Sequence, residues 1–283
     1  MQTVTAIRTT KLPSGEEVPI LGQGTWHLAE GRHHRQDEIK ALRLGLDLGV
    51  RLVDTAEMYA DGRSEELVGE AIAGRRENVF LVTKVLPHHA TRDGTIEACE
   101  RSLKRLKTDR IDLYLLHWRG DVPLAETVEG FQELIEAESI RYWGVSNFDV
   151  DDMVELFQVE GGAGAATDQV LYNPTRRGIE LDLMPWCRER NIPVMAYSPI
   201  EQGRLLSHPV VRHIAERQRA TPAQAALAWV LRQSRVIAIP QAGTPEHVRE
   251  NRGAADIHLT EHDLAMLDRA FSPPTSKQPL EML

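Results

Sequence analysis

Short apolar runs alternate with longer amphipathic segments along almost the whole chain. The runs predict strands near residues 21–25, 51–54, 79–84, 111–117, 141–145, 168–171, 193–197 and 236–239. Between them, apolar residues recur at helical spacing: Ile39, Leu42 and Leu46 share one face, and Ile96, Cys99, Leu103 and Leu106 another. Gly49 stands where a left-handed helix C-cap is needed, and Thr221-Pro222 opens a later helix as N-cap and first helical residue. Strand and helix signals in alternation specify parallel βα units. Eight such units close into a (β/α)8 TIM barrel more naturally than they form an open sheet of that width.

Three segments fall outside this repeat. Val4 to Arg8 and Glu17 to Ile20, joined by Pro13-Ser-Gly15, predict an N-terminal β-hairpin. Glu201 to Thr221 is long for a βα loop and holds a helical stretch around Val210 to Arg217, so an extra helix is expected there, over the catalytic face. The tail after Phe271, with Pro273, Pro274 and Pro279, predicts irregular structure.

A length of 283 residues suits one such barrel, so residues 1–283 are expected to form a single domain. Hydrophobic content of 42% and charged content of 27% are those of an ordinary globular protein. The net charge of -9 disfavours nucleic acid and anionic membrane as partners. No apolar run is long enough to span a bilayer, and the first residues lack a basic segment followed by an apolar one, so a cytoplasmic location is expected. Cys99 and Cys187 sit in no CxxC or His-rich spacing; they predict two buried thiols and no metal site.

The candidate chemistry lies where predicted strands stop. One ends at Asp54, with Tyr59 a few residues into the loop; others end at Lys84 and His117. A buried Asp–Lys pair is often only a satisfied ion pair, and a His after a strand is often a packing residue. All four on one face of a barrel instead point to one proton-handling site, since parallel α/β folds build active sites at the carboxyl ends of their strands. A phenol with an ordinary pKa of about 10 is a poor acid near neutrality; moving it by about three units takes roughly 4 kcal/mol, which a desolvated Lys84 is expected to supply. Asp54 would aim Lys84, and a neutral His117 would donate to a carbonyl oxygen. Other chemistries lack their signatures. Gly22-Gln-Gly24 begins a dinucleotide fingerprint, but His27 occupies the third glycine position, and neither a P-loop nor a Gly-x-Ser-x-Gly elbow occurs.

With these residues in place, the sequence resembles the aldo-keto reductases from about Pro19 to Phe271. Asp54-Thr-Ala-Glu-Met-Tyr59, Lys84, Leu116-His117-Trp118, Gly144-Val-Ser-Asn147, Gln169, Ala196-Tyr-Ser-Pro199 and Ile239-Pro240 match that family's motifs in order. The resemblance implies a barrel that binds an extended nicotinamide dinucleotide and transfers hydride to an aldehyde or ketone, with Asp54, Tyr59, Lys84 and His117 as the catalytic tetrad. It implies that Ser146, Asn147 and Gln169 hold the carboxamide and that Tyr197 stacks on the ring. Gly24, Thr25 and Trp26 would lie under the cofactor. Ser198, Pro199, Ile200 and Gly203 would follow the pyrophosphate, covered by the Glu201 to Leu206 region. Pro240, Gln241, Ala242, Gly243, Thr244, His247, Glu250 and Asn251 would surround the adenosine.

One departure bears on the cofactor. Where the family usually places a Lys and, six residues later, an Arg for the adenosine 2'-phosphate, this chain has Gln241 and His247. Arg249, Arg252 and a protonated His247 are candidates to compensate. NADP(H) is the expected cofactor, discriminated poorly from NAD(H).

Trp26, Met58, Tyr59, His117 and Trp118 are expected to border the substrate, near His88 and His89. The short connection Arg119 to Pro123 and the short tail imply an open pocket and small carbonyl substrates, methylglyoxal and aromatic aldehydes among them. Two alternatives share the fold: an alcohol or sugar dehydrogenase, and a redox-sensing regulatory protein like the potassium-channel beta subunits. A monomer or weak homo-oligomer is expected.

Overall fold

Residues 6–283, described by a computed structural model, open on an antiparallel hairpin of β1 (Thr9–Lys11) and β2 (Glu17–Pro19), with Lys11 opposite Glu17. The expected hairpin is present, but its first strand is Thr9–Lys11 rather than Val4 to Arg8. Val4 lies outside the described residues. The turn is tight, Gly15 adopting φ +90° and its N–H donating to the Leu12 carbonyl at 2.9 Å, so pairing begins beside it and uses the β-branched Thr9 and Thr10.

The barrel strands follow: β3 (Gly22–Gly24), β4 (Leu52–Asp54), β5 (Phe80–Val85), β6 (Ile111–Leu116), β7 (Ile140–Ser146), β8 (Asp168–Leu171), β9 (Val194–Tyr197) and β10 (Val236–Ala238). They pair in parallel and in chain order. The ring closes through parallel bridges Leu21 to Ala238 and Gly24 to Gln241. Around it run α1 (Arg35–Asp47), α2 (Arg63–Ile72), α3 (Arg92–Leu106), α4 (Leu124–Glu136), α5 (Val150–Gln158), α6 (Leu183–Glu189), α7 (Pro209–Gln218), α8 (Pro222–Leu231), α9 (Pro245–Ala254) and α10 (Glu261–Ala270). The helix α7 fills the long segment after β9, as expected. Gly49 takes φ +86° just past α1, and Thr221 caps α8 in a reciprocal capping box with Gln224.

Two-residue periodicity positions the chemistry. Leu52, Phe80, Val82, Leu113, Leu115, Met195 and Ile237 form one cluster inside the ring, into which Leu12 and Val18 of the hairpin plug at the bottom. Their strand neighbours Val53, Leu81, Tyr114 and Ala196 pack outward against the helices. Side chains alternate along a strand, so each inward row continues to one more position at its carboxyl end. That position is Asp54 after Leu52, Lys84 after Val82, His117 after Leu115 and Tyr197 after Met195. Each row is apolar where it fills the barrel and polar where it meets the open face.

The tail after Phe271 is irregular, as expected. It returns over the carboxyl face, where Arg176 donates to Glu281, and a Leu283 backbone group reaches the Tyr197 hydroxyl.

Candidate active site

The Lys84 ammonium, fully buried, lies 2.9 Å from each Asp54 carboxylate oxygen, 2.8 Å from the Thr55 carbonyl and 3.3 Å from the Tyr59 hydroxyl. Its three protons are therefore spoken for by an anion, a carbonyl and a phenol, and the phenol is the partner facing the cavity. Tyr59 is held there by a 3-10 turn (Tyr59–Gly62) in which Ala60 and Asp61 adopt left-handed φ of 50° and 55°. Such a conformation costs about 1–2 kcal/mol per residue, and it bends the chain from the end of β4 into α2. The ring of His117 stands edge-on to that of Tyr59 with centroids 5.8 Å apart. The four expected groups are thus brought together at one end of the barrel.

Electrostatics sharpen their roles. Burial, then the nearby Asp54 carboxylate, raises Tyr59 well above the usual phenol range. The lowered phenol expected from the sequence is therefore not found: burial and the Asp54 carboxylate both favour the protonated hydroxyl. Burial also lowers Lys84, with Asp54 opposing. His117 is pushed well below the imidazole range by burial and then by Lys84, so the ring is neutral; its Nδ1 is sealed without a partner.

Beside the tetrad lies a chain of neutral polar groups. Gln169 Nε2 donates to Asp54 Oδ1 at 2.8 Å, Ser146 Oγ donates to the Gln169 carbonyl at 2.7 Å, and Asn147 Nδ2 donates to Ser146 Oγ at 3.1 Å. Tyr197 donates its hydroxyl to Asn147 Oδ1 at 2.9 Å. Asn147, at φ 59°, and the register Ser146 to Gln169 across β7 and β8 bring these side chains to one wall.

Other expected residues are placed differently. Gly24 and Thr25 are sealed in the barrel wall. A Cβ on Gly24 would approach the Ile239 carbonyl oxygen to 2.6 Å, and Thr25 Oγ1 pairs with the Asp54 carbonyl and Ser64. Trp26 and Trp118 are half-buried and Met58, directly before Tyr59, is exposed; the ring of Trp118 lies 5.0 Å from that of His117. At the far end, Pro240, Ala242, Gly243 and Asn251 are buried, Thr244 and Glu250 are half-buried, and Gln241 and His247 are exposed. The Arg252 guanidinium pairs with Asp256 at 2.8 Å. Between β9 and α7, Pro199 is buried, Ser198, Ile200 and Gly203 are half-buried, and Gly203 takes φ 86°.

Three carboxyl groups were not singled out in the sequence. Glu57 accepts from the Leu86 N–H at 2.8 Å and pairs with His89 Nδ1 at 3.0 Å, tying the loop after β5 to the loop that carries Tyr59. Glu201 accepts from Asn173, Arg176 and Arg204, pinning the segment after β9. Asp168, directly before Gln169, is fully buried with no side-chain partner and only the Phe148 backbone N–H beside its carboxyl, and burial raises it well above the carboxylate range. Only Glu57, inside a motif at a strand end, carried a visible signal. A separate cavity of about 350 Å³ lies outside the barrel among Gln36, Arg43, Glu70 and Lys107, far from these strand ends. Its Arg43 is committed to the Glu70 and Ala71 carbonyls.

Known proteins share this arrangement. The Aldo/keto reductase family matches residues 20–271. Methylglyoxal reductase YeaE of Escherichia coli (strain K12) is 50% identical over 271 residues, covering 94% of this chain and 95% of that protein. Glyoxal reductase of Bacillus subtilis (strain 168) is 32% identical over 92% of this chain and 91% of its own. The crystal structure of an aldo-keto reductase from Klebsiella pneumoniae in complex with NADPH superposes with a TM-score of 0.96 at 48% identity, over 99% of this chain and all of that one. With the barrel, its polar strand ends and a match of this length in agreement, the chain belongs to the aldo/keto reductase family.

Proposed function

We propose that the protein reduces small aldehydes and ketones, α-oxoaldehydes such as methylglyoxal foremost, using NADPH, with Tyr59 as general acid. One observation carries this reading: a single buried ammonium touches both oxygens of Asp54 and the hydroxyl of Tyr59, beside a neutral His117.

The residues fit a nicotinamide dinucleotide. Asn147 and Gln169 offer amide donors and acceptors suited to a carboxamide, Ser146 steadies both, and Tyr197 offers an aromatic face beside them. Bound NADPH would supply the hydride. The chain's own residues manage the proton. His117 donates an N–H to the substrate carbonyl oxygen, which polarises the carbonyl without adding charge to the cavity. As that oxygen gains electron density, Tyr59 donates its hydroxyl proton, and the phenolate left behind is stabilised by Lys84 at 3.3 Å. Asp54 keeps the ammonium charged and aimed.

The substrate class is supported by the names of the E. coli and B. subtilis relatives and by a mouth bordered by Trp26, Met58 and Trp118. The cofactor is supported by the NADPH complex of the Klebsiella protein. Gln241 and His247 weaken the case for strict selectivity: a charge-assisted hydrogen bond is worth about 1.5–3 kcal/mol, so NADH is expected to compete. We also take residues 1–283 to be one domain, because the clusters inside and outside the barrel draw on elements from Leu12 to Leu267.

Tyr59→Phe tests the mechanism. The turnover number for methylglyoxal is expected to fall about 10²- to 10⁴-fold, while NADPH binding by fluorescence titration stays unchanged. Near wild-type turnover would end the assignment of Tyr59.

A further inference from the structure

We infer that His33 is a specificity-determining residue that takes over contact with the adenosine 2'-phosphate. The inference rests on the NADPH reading and concerns a loop that the family motifs do not include. The segment between β3 and α1 runs across the barrel face to the start of α9, and α1 is packed on that region through Ala41 and Leu44 against Ala242 and Val248.

Gly243 records the approach. A Cβ built on it would lie 2.5 Å from His33 Cδ2, 2.9 Å from His33 Nε2 and 3.5 Å from Gln241 Nε2. These distances place the edge of the imidazole directly on the Gly243 backbone, with the Gln241 amide reaching the same point. The backbone of Gly243 is not in the left-handed region, so glycine is required there by space alone. Among the described residues, the His33 ring has no hydrogen-bond partner and is exposed, so its N–H is available to a ligand. The neighbouring cations are occupied. Arg32 pairs with Glu30 at 3.4 Å, Arg35 with Glu70 at 3.0 Å, and Arg249 donates to the Pro245 carbonyl at 3.3 Å. Among the described residues, His33 and Gln241 present side-chain donors that converge where the family's usual Lys is replaced.

The test is calorimetric titration with adenosine 2',5'-bisphosphate and with 5'-AMP, which differ in the phosphate concerned and need no turnover. Wild type is expected to prefer the bisphosphate. His33→Ala should reduce that preference about five- to tenfold and leave 5'-AMP binding unchanged. Gly243→Ala should also lower the ratio of bisphosphate to 5'-AMP affinity, because the new methyl meets the imidazole at Cδ2 and Nε2 and displaces the ring. In a His33→Ala background Gly243→Ala should add nothing, the signature of two changes acting through one contact. A His33→Ala variant with undiminished preference, or with tighter bisphosphate binding, would overturn the role of His33 and leave the NADPH reading standing. A wild-type protein that binds 5'-AMP as well as the bisphosphate would overturn both.

Discussion

The tetrad end and the adenosine end of the barrel face are built on opposite principles. At the tetrad, Asp54, Lys84 and Gln169 are buried, each bonded to another, on the inner rows of rigid strands. At the other end, Gln241, His247 and His33 are exposed, uncharged or weakly basic, and carried by loops. In the first region a polar group has few alternatives to its partner, and losing that partner leaves charge in a poor dielectric. In the second, water replaces any contact that is lost, so each residue has a small effect. On the proposed reading, reaction type is fixed by buried geometry, whereas cofactor preference is set at exposed positions that single changes can adjust.

The largest expected effect would come from Lys84→Met. It leaves Asp54 buried with Gln169 as its remaining side-chain donor, and the expected loss of stability is about 3–5 kcal/mol by urea unfolding. A loss below 1 kcal/mol would break the contrast, because it would show that the tetrad end tolerates change as a surface does.

A smaller effect is expected at Asp168, which sharpens the comparison because it is a buried carboxyl in that wall with no side-chain partner. Its folded-state pKa is raised, so the folded protein holds a proton that the unfolded chain releases near the usual carboxylate range. Stability from this group is therefore fully present at acidic pH and declines as pH rises toward the folded pKa. Asp168→Asn removes that penalty. It is expected to stabilise the protein by about 1–3 kcal/mol at pH 7, with the advantage shrinking toward pH 4 in denaturant titrations. An advantage independent of pH would rule out the protonated carboxyl as its origin.

The smallest is Gln241→Lys, which restores a cation at the exposed end. The ratio of NADPH to NADH affinity should rise about tenfold, or about 1.4 kcal/mol, and the gain should fade with added salt. A shift beyond a hundredfold would mean that this end is more enclosed than its exposure indicates.

Strand by strand, the barrel was legible because each run is short, apolar and followed by a helical period. The tetrad was legible for the same reason, each member ending an inward row. The hairpin register was misjudged because Val4 and Ile7 carry more apolar signal than Thr9 to Lys11, whereas turn geometry decides which residues pair. The direction of the Tyr59 shift is not legible, because sequence shows the nearby Lys84 but not the depth of burial. Asp168 and His33 were not legible at all. The first depends on which neighbours fail to reach it, the second on a loop meeting Gly243 across the barrel.

That meeting lies on the seam where the ring closes. Gly24 donates its N–H to the Pro240 carbonyl and bridges Gln241, joining the first barrel strand to the last. The adenosine loop therefore takes shape only when the two ends of the βα repeat have found each other, the most non-local pairing in the molecule and the kind that forms late. A partly assembled barrel would own the tetrad strands β4 to β6 and yet lack half of its cofactor cradle. A cofactor bound as proposed would act as a latch across the seam, stabilising the closed ring and shielding the chain from proteolysis as ligand concentration rises.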